Sequence, residues 1–154
     1  PWQPAGGQEI SHLTESVDVT PTILDWIGVE CPVALDGRSL LPFVGGTPPE
    51  DWRDAVFMEA DFSHPARPTR FQSHTGLPVN QCNATILREA RWKYVHFGGG
   101  IAPMLFDLEA DPGELRNLAD DPAFAGEVSR LARKMIDRMT ERRDRRLTGY
   151  SFGV

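Results

Sequence analysis

The sequence DPAFAGEVSRLARKMIDRMTERR (Asp121–Arg143) decides the fold of the second half of this chain. Asp121 is a good N-cap, and Pro122 falls at the first helical position, where its missing N–H costs nothing. The apolar side chains that follow recur at helical spacing and form one stripe: Phe124, Val128, Leu131, Met135 and Met139, with Ala132 and Ile136 beside it. The pattern predicts a long amphipathic helix that packs one face on the rest of the domain.

Four short segments ahead of this helix have the composition of β-strands. Ala55–Phe62 is rich in strand formers, and Cys82–Arg88 and Trp92–Phe97 are close enough in sequence to predict a β-hairpin. Pro103–Leu108 predicts a fourth strand. Strands followed by a long amphipathic helix indicate an α+β fold, in which a small four-stranded antiparallel sheet packs against that helix.

The N-terminal part predicts one short helix. In the sequence TPTILDWIG (Thr20–Gly28), Thr20 is the expected N-cap and Pro21 the first helical residue, while Gly28 and then Pro32 mark the end. We therefore divide the chain into a junction segment that contains this helix, residues 1–48, and an α+β subdomain, residues 49–154.

Composition excludes several classes of function. The 154 residues include 16 basic and 22 acidic side chains, and the net charge of −6 argues against nonspecific nucleic-acid binding. No apolar run approaches the ~20 residues that a membrane span requires, so we expect no membrane partner. Two cysteines do not make a disulfide framework, which favours a cytoplasmic protein. Because the chain opens on Pro1 rather than Met, we expect the true N-terminus to lie upstream.

The interval 63–81 is the most interesting loop of the sequence. It is polar and carries Pro65, Pro68 and Pro78, and loops longer than about 12–15 residues without regular structure are usually functional or disordered. It also holds the cations and neutral donors that an anionic ester would bind: His64, Arg67, Arg70, His74 and Asn80. We predict that this loop forms part of a substrate rim. An ordinary solvated loop is the alternative.

Several ordered pieces of the sequence resemble the C-terminal part of sulfatases. D-x-x-P-T-I-L-x-x-x-G (Asp18–Gly28), followed by D-G-R-S-L-L-P (Asp36–Pro42), resembles the junction between the two sulfatase domains. RWKYVHF (Arg91–Phe97) and LFDLEADPGELRNLA (Leu105–Ala119) resemble the closing half of the C-terminal subdomain. TESVDVTPTILDW and DDPAF are similar to the phosphonate monoester hydrolase branch of the same alkaline phosphatase superfamily.

The resemblance implies a parent protein of several hundred residues, whose N-terminal catalytic domain is the partner of this chain. The parent would cleave sulfate esters, phosphonate esters or phosphate esters with a divalent metal (Ca, Mg or Mn) and a formylglycine made from Cys or Ser. A homo-oligomer is also expected, because C-terminal extensions of the branch take part in subunit contacts. Tyr150 and Phe152 are candidates for such a contact.

The catalytic parts of that family are not predicted on this chain. Neither Cys31 nor Cys82 begins the C-x-P-x-R motif from which formylglycine is made. Glu59 and Asp61 share one face of a predicted strand, but no third oxygen ligand follows at useful spacing for a hard cation. We therefore expect no catalytic, cofactor-binding or metal-binding residue here, and an inactive fragment when the chain stands alone.

Two other functions stay open. The chain could be a stand-alone binding or assembly module with the same fold, in which case an apolar surface near Trp2, Ile10 and Leu13 would meet the partner. It could also come from a transferase or isomerase relative in the superfamily, such as a phosphoglycerate mutase. The sequence D-P-x-E-x-x-N-L (Asp111–Leu118) favours the sulfatases over that last class.

Overall fold

One antiparallel sheet organises the structure, a computed structural model that describes Gly7 and residues 9–32 and 35–141. Its strands lie in the order β1-β2-β3-β4, each antiparallel to the next: β1 Ala55–Asp61, β2 Asn83–Glu89, β3 Trp92–Phe97 and β4 Met104–Asp107. The predicted strands are confirmed, with bounds shifted by at most one residue at each end. The α+β prediction is confirmed as well.

Four α-helices accompany the sheet: α1 Val19–Trp26, α2 Leu41–Val44, α3 Arg70–Thr75 and α4 Ala125–Glu141. A 3₁₀ turn, Pro122–Phe124, leads into α4, and Asp121 Oδ1 accepts a hydrogen bond from Ala123 N at 3.0 Å, as expected of the predicted cap. Within the described ranges, no helix combines the length and apolar character needed to cross a bilayer.

The core lies between α4 and one face of the sheet. The strand register aligns four side chains on that face: Phe57, Leu87, Tyr94 and Leu105. Leu131 and Met135 of α4 are buried against this row. The last apolar residue of the predicted stripe, Met139, is instead exposed. A helix of 17 residues is about 25 Å long, which exceeds the roughly 15 Å across four strands, so its final turn can extend past the sheet.

The opposite face of the sheet carries a second row, which we call the outer sheet face. Here the register aligns Met58, Ile86, Val95 and Met104, one residue from each strand. Val95 is buried and Ile86 is half-buried, whereas the two methionines at the ends of the row are exposed. The outer sheet face is therefore apolar but only partly covered within the described residues.

Both edges of the sheet are tied to other segments. At β1, the backbone N–H of Phe57 donates to Glu15 Oε1 at 2.8 Å. At β4, Leu105 N donates to Asn117 Oδ1 at 2.9 Å and its carbonyl accepts from Leu118 N at 2.8 Å. Unpaired edge groups are a template for unwanted strand pairing, and these contacts block it at the two positions concerned.

The start of α1 differs from the prediction. A 3₁₀ turn, Ser16–Asp18, runs directly into the helix, so Thr20 lies inside α1 and is not its N-cap. The capping function belongs to the preceding turn, where Asp18 Oδ2 accepts from Glu15 N at 2.8 Å. The predicted end is confirmed, because Gly28 adopts φ +74, the left-handed conformation typical of a residue just after a helix.

Candidate functional site

The interval 63–81 is not the irregular loop that its polarity predicted, because it contains α3. Thr69 Oγ1 accepts from Gln72 N at 3.2 Å, while Gln72 Oε1 accepts from Thr69 N at 3.0 Å, which makes a capping box at the helix start. Gly76, at φ +69, ends the helix. The Thr-x-x-Gln spacing ahead of a glycine was the sequence signal for this helix.

This segment is fixed to one end of the sheet, where β1 stops and β2 starts. Thr69 Oγ1 donates to the carbonyl of Phe62 at 2.6 Å, and the rings of Phe62 and Phe71 lie 5.1 Å apart. Leu77 packs so closely on Gly99 that a Cβ at that glycine would meet its side chain at 2.5 Å. The segment is therefore anchored at both ends.

All five predicted rim residues are exposed on this segment: His64, Arg67, Arg70, His74 and Asn80. His64 Nδ1 accepts from Ala66 N at 3.1 Å, so the neutral ring carries its proton on Nε2. The carbonyl of Asn80 accepts from Asn83 Nδ2 at 3.0 Å.

The structure exposes these five residues on one segment, with no contact that brings them together. In the described part of the chain, no hydrogen bond or ion pair joins any two of them, and the guanidinium groups of Arg67 and Arg70 have no acceptor. Two cations without an internal partner could receive an anion supplied from outside the chain.

The residues present do not fit the metal site and the nucleophile that the family implies. Among the residues described, no group of three or more His, Cys, Asp or Glu side chains is placed to hold a metal ion. Asp61 Oδ1 accepts from the backbone and hydroxyl of Ser63 at 2.8 and 2.7 Å, and these hydrogen bonds lower the pKa of Asp61. Cys31 and Cys82 are free thiols, one exposed and one buried. No catalytic step is assigned to this chain.

A buried ion pair connects the junction segment to the sheet. Asp18 is fully buried, and Arg53, two residues before β1, holds it with two guanidinium nitrogens, of which Nη2 lies 2.6 Å from Oδ1. Arg38 N donates to Asp18 Oδ1 at 2.9 Å, and Arg53 Nε lies 3.5 Å from Glu15 Oε2. Asp18 belongs to the D-x-x-P-T-I-L motif, but that motif does not predict its buried ion pair, because the main partner is 35 residues away.

The titration of this pair follows from its contacts. Burial alone would raise the pKa of Asp18, but the hydrogen bonds from Arg53, Arg38 and Glu15 outweigh it and lower that pKa. The hydrogen bond to Asp18 raises the pKa of Arg53 in turn. Both side chains are therefore charged at neutral pH, and the pair is intact.

Trp52 completes the connection. Its indole Nε1 donates to the carbonyl of Leu13 at 2.8 Å, and the guanidinium carbons of Arg38 and Arg53 lie 4.8 and 4.7 Å from its ring centroid. The ring of Phe43 contacts Trp52 edge-on at 4.6 Å. Of the residues named for the binding-module alternative, Ile10 is exposed, Leu13 is half-buried, and Trp2 lies outside the described residues.

The groove between the junction segment and α4 is a poor candidate for a ligand site. It encloses about 560 Å³, and its cations already have carboxylate partners. Arg38 Nη2 lies 3.0 Å from Asp51 Oδ1, and Lys134 Nζ lies 2.6 Å from Asp54 Oδ2. A bound anion would have to displace these internal ion pairs.

The helix α1 presents an apolar surface that the described residues leave open. Trp26 is 68% exposed, and Val19, Ile23 and Ile27 are also exposed. A patch of large apolar side chains at this density marks a contact surface on most soluble proteins.

Comparison with known proteins identifies the family. A profile described as "N-sulphoglucosamine sulphohydrolase, C-terminal" matches residues 1–143. The chain belongs to this sulfatase C-terminal family. Its residue pattern at the junction and in the closing half of the subdomain is thus confirmed as a sulfatase pattern.

The relatives of this sulfatase C-terminal chain are much longer than the chain itself. It is 42% identical over 144 residues to "Multifunctional alkaline phosphatase superfamily protein PehA" of Trinickia caryophylli, a match that covers 94% of this chain and 28% of that protein. It is 33% identical over 134 residues to "Arylsulfatase K" of Danio rerio, a match that covers 85% of this chain and 23% of that protein. The chain spans about a quarter of the length of these relatives.

A solved structure shows the same fold. The sulfatase C-terminal chain superposes on "Phosphonate monoester hydrolase SpPMH from Silicibacter pomeroyi" with a TM-score of 0.81 and 46% identity, covering 85% of this chain and 26% of that one. The likeness to both sulfatases and phosphonate monoester hydrolases that the sequence indicated is confirmed.

Proposed function

We propose that this chain is the C-terminal, non-catalytic part of a hydrolase that cleaves sulfate esters, phosphonate esters or phosphate esters. The observation that carries the proposal is the match to a C-terminal sulfatase family over residues 1–143, while the chain spans only 28% of PehA. The remaining length of such a protein has room for a catalytic domain ahead of the junction segment.

The proposal divides the work between two domains. We assign the divalent metal (Ca, Mg or Mn) and the formylglycine to the preceding domain, because neither Cys31 nor Cys82 begins the motif for formylglycine and the described residues hold no cluster for a metal. Residues 1–48 would join the two domains and residues 49–154 would form the C-terminal subdomain. The exposed apolar side chains of α1 support this, since a neighbouring domain would bury them.

The interval 63–81 would contribute to the rim of the active site. His64, Arg67, Arg70, His74 and Asn80 are exposed on one anchored segment, and the two arginines have no acceptor within the described residues. An anionic ester offers the acceptor that they lack.

The first experiment is to express the chain together with its upstream coding sequence. We expect hydrolysis of an aryl sulfate or a phosphonate monoester, and a peptide whose mass shows formylglycine. A start codon directly before Pro1 would contradict the proposal and leave the stand-alone binding module as the function to pursue.

The rim has a test of its own in that longer protein. Replacing both arginines (Arg67→Gln and Arg70→Gln) should raise KM for the anionic ester several-fold and leave kcat within about twofold, since the lost contacts concern binding. Arg133→Gln on the exposed side of α4 is the matched control. Equal kinetics in both variants would identify the segment as an ordinary solvated loop.

A cytoplasmic location and a homo-oligomer also stay proposals. Tyr150 and Phe152, the residues predicted to contact a neighbouring subunit, lie outside the described residues. Truncation after Arg146 tests this contact, because an unchanged oligomer size would show that Tyr150 and Phe152 are not needed for assembly.

A further inference from the structure

The outer sheet face is covered at its centre, where Val95 is buried and Ile86 half-buried, but exposed apolar side chains lie at both ends of its row. Met58 is 57% exposed and Met104 is 38% exposed. They lie at the two ends of the row, and Ile86 and Val95 lie between them. Leu115 is 90% exposed and follows Glu114, whose carboxylate lies 2.5 Å from Lys93 Nζ on the same face. The exposed apolar side chains of the row thus belong to the two edge strands, Met58 to β1 and Met104 to β4.

The two layers of the domain differ in the surface they present. The exposed positions of α4 include the charged side chains of Arg133 and Asp137, together with the apolar Ile136 and Met139. A second layer on the opposite face of the sheet would bury the exposed apolar side chains at the ends of the row.

We propose that the catalytic domain of the longer protein covers the outer sheet face and buries Met58, Met104 and Leu115. This inference rests on the proposed function. Glu15, in the junction segment, accepts the backbone N–H of Phe57, and the next residue is Met58. The chain spans only 28% of the length of PehA, so most of such a protein lies outside this chain and is available to supply the covering surface.

Charge on the outer sheet face specifies the chemistry of the partner surface. Arg88 and Lys93 are paired across β2 and β3, so two like charges face each other. Glu114 neutralises Lys93, whereas the guanidinium of Arg88 has no carboxylate partner among the residues described. The covering surface should be apolar over the row and should supply a carboxylate opposite Arg88.

The four methionines of the chain, Met58, Met104, Met135 and Met139, allow a footprint without any substitution. In the longer protein, limited hydrogen peroxide followed by peptide mass spectrometry gives the oxidation rate of each. We expect Met58 and Met104 to react at least about tenfold more slowly than in urea, as buried Met135 does, because oxidation follows exposure. Met139, which is exposed on α4, gives the oxidation rate of an accessible methionine in the native protein.

Each outcome decides the inference. Oxidation of Met58 or Met104 in the native protein at the rate seen in urea would overturn it. Protection that disappears when the protein is diluted to monomers would overturn it as well, because a second copy would then be the cover. Ester hydrolysis by the same sample separates the two proposals: an active enzyme with reactive Met58 contradicts only the docking of this face.

Discussion

Arg53 and Asp18 form a buried ion pair that fixes the junction segment to the start of the sheet. The two side chains share two hydrogen bonds, and 4% and 0% of their respective surfaces are exposed. The backbone N–H groups of Arg38 and Glu15 donate to the same carboxylate at 2.9 and 2.8 Å. Four donors from three segments thus meet at one buried acceptor.

Loss of that carboxylate should destabilise the fold. We expect Asp18→Asn to lower the free energy of unfolding by about 3 kcal/mol, because removal of one partner leaves a buried charge without full compensation. Urea titrations measure the effect. Asp51→Asn removes the exposed partner of Arg38 and should change stability by less than about 1 kcal/mol, so similar losses in the two variants would contradict this reading.

The same substitution should alter the pH dependence of stability. The pKa of Asp18 lies below its ordinary value of 3.8 in the folded state, so its contribution is complete above that value and is lost as the pH falls through the lowered pKa. The stability gap between wild type and Asp18→Asn should therefore be constant near neutral pH and shrink in acid. Urea titrations repeated toward low pH would refute the assignment if the gap widened on acidification.

The contact between α4 and the sheet depends on Leu131. This side chain is fully buried, and Leu131→Ala should lower the free energy of unfolding by about 2–5 kcal/mol through lost burial and a residual cavity. Ile136→Ala, on the exposed side of the same helix, should stay within about 0.5 kcal/mol of wild type. Chemical denaturation measures the free energy of unfolding of both variants. An equal loss of stability in the two would contradict the placement of Leu131 in the core.

Replacement by alanine should change the stability of the protein in opposite directions at two glycines. Gly76 holds φ +69 after α3, so Gly76→Ala should destabilise by about 1–2 kcal/mol. Gly126 lies in the first turn of α4 with open space where a Cβ would be, so Gly126→Ala should stabilise by about 0.5–1 kcal/mol. Thermal melts show the signs directly. A lower Tm for Gly126→Ala would contradict its placement within the helix.

Local patterns were enough to predict much of this fold. The apolar stripe from Phe124 to Met135 and the strand-forming segments carry their periodicity in the sequence, and the structure confirms them. The helix α3 was missed because its polar composition obscured a Thr-x-x-Gln capping box. The capping box is a local sequence signal for a helix, and here it outweighs the polar composition of the segment.

Contacts between distant segments were beyond a single sequence. Nothing local to Asp18 indicates that Arg53 will bury its carboxylate, because the pair forms only once the junction segment lies along β1. For the rim residues, the sequence predicted the chemical types and their exposure. Whether Arg67 and Arg70 face a substrate depends on a domain outside this chain.

The hydrogen bond from Phe57 N to Glu15 has a consequence for assembly. A strand from another molecule could not pair along β1 at this position without first displacing that carboxylate, and Asn117 imposes the same condition at Leu105 of β4. Growth of a continuous sheet from one molecule to the next is therefore obstructed at both margins. A homo-oligomer of this protein would have to be held together by side chains, with no shared ladder of backbone hydrogen bonds at these positions.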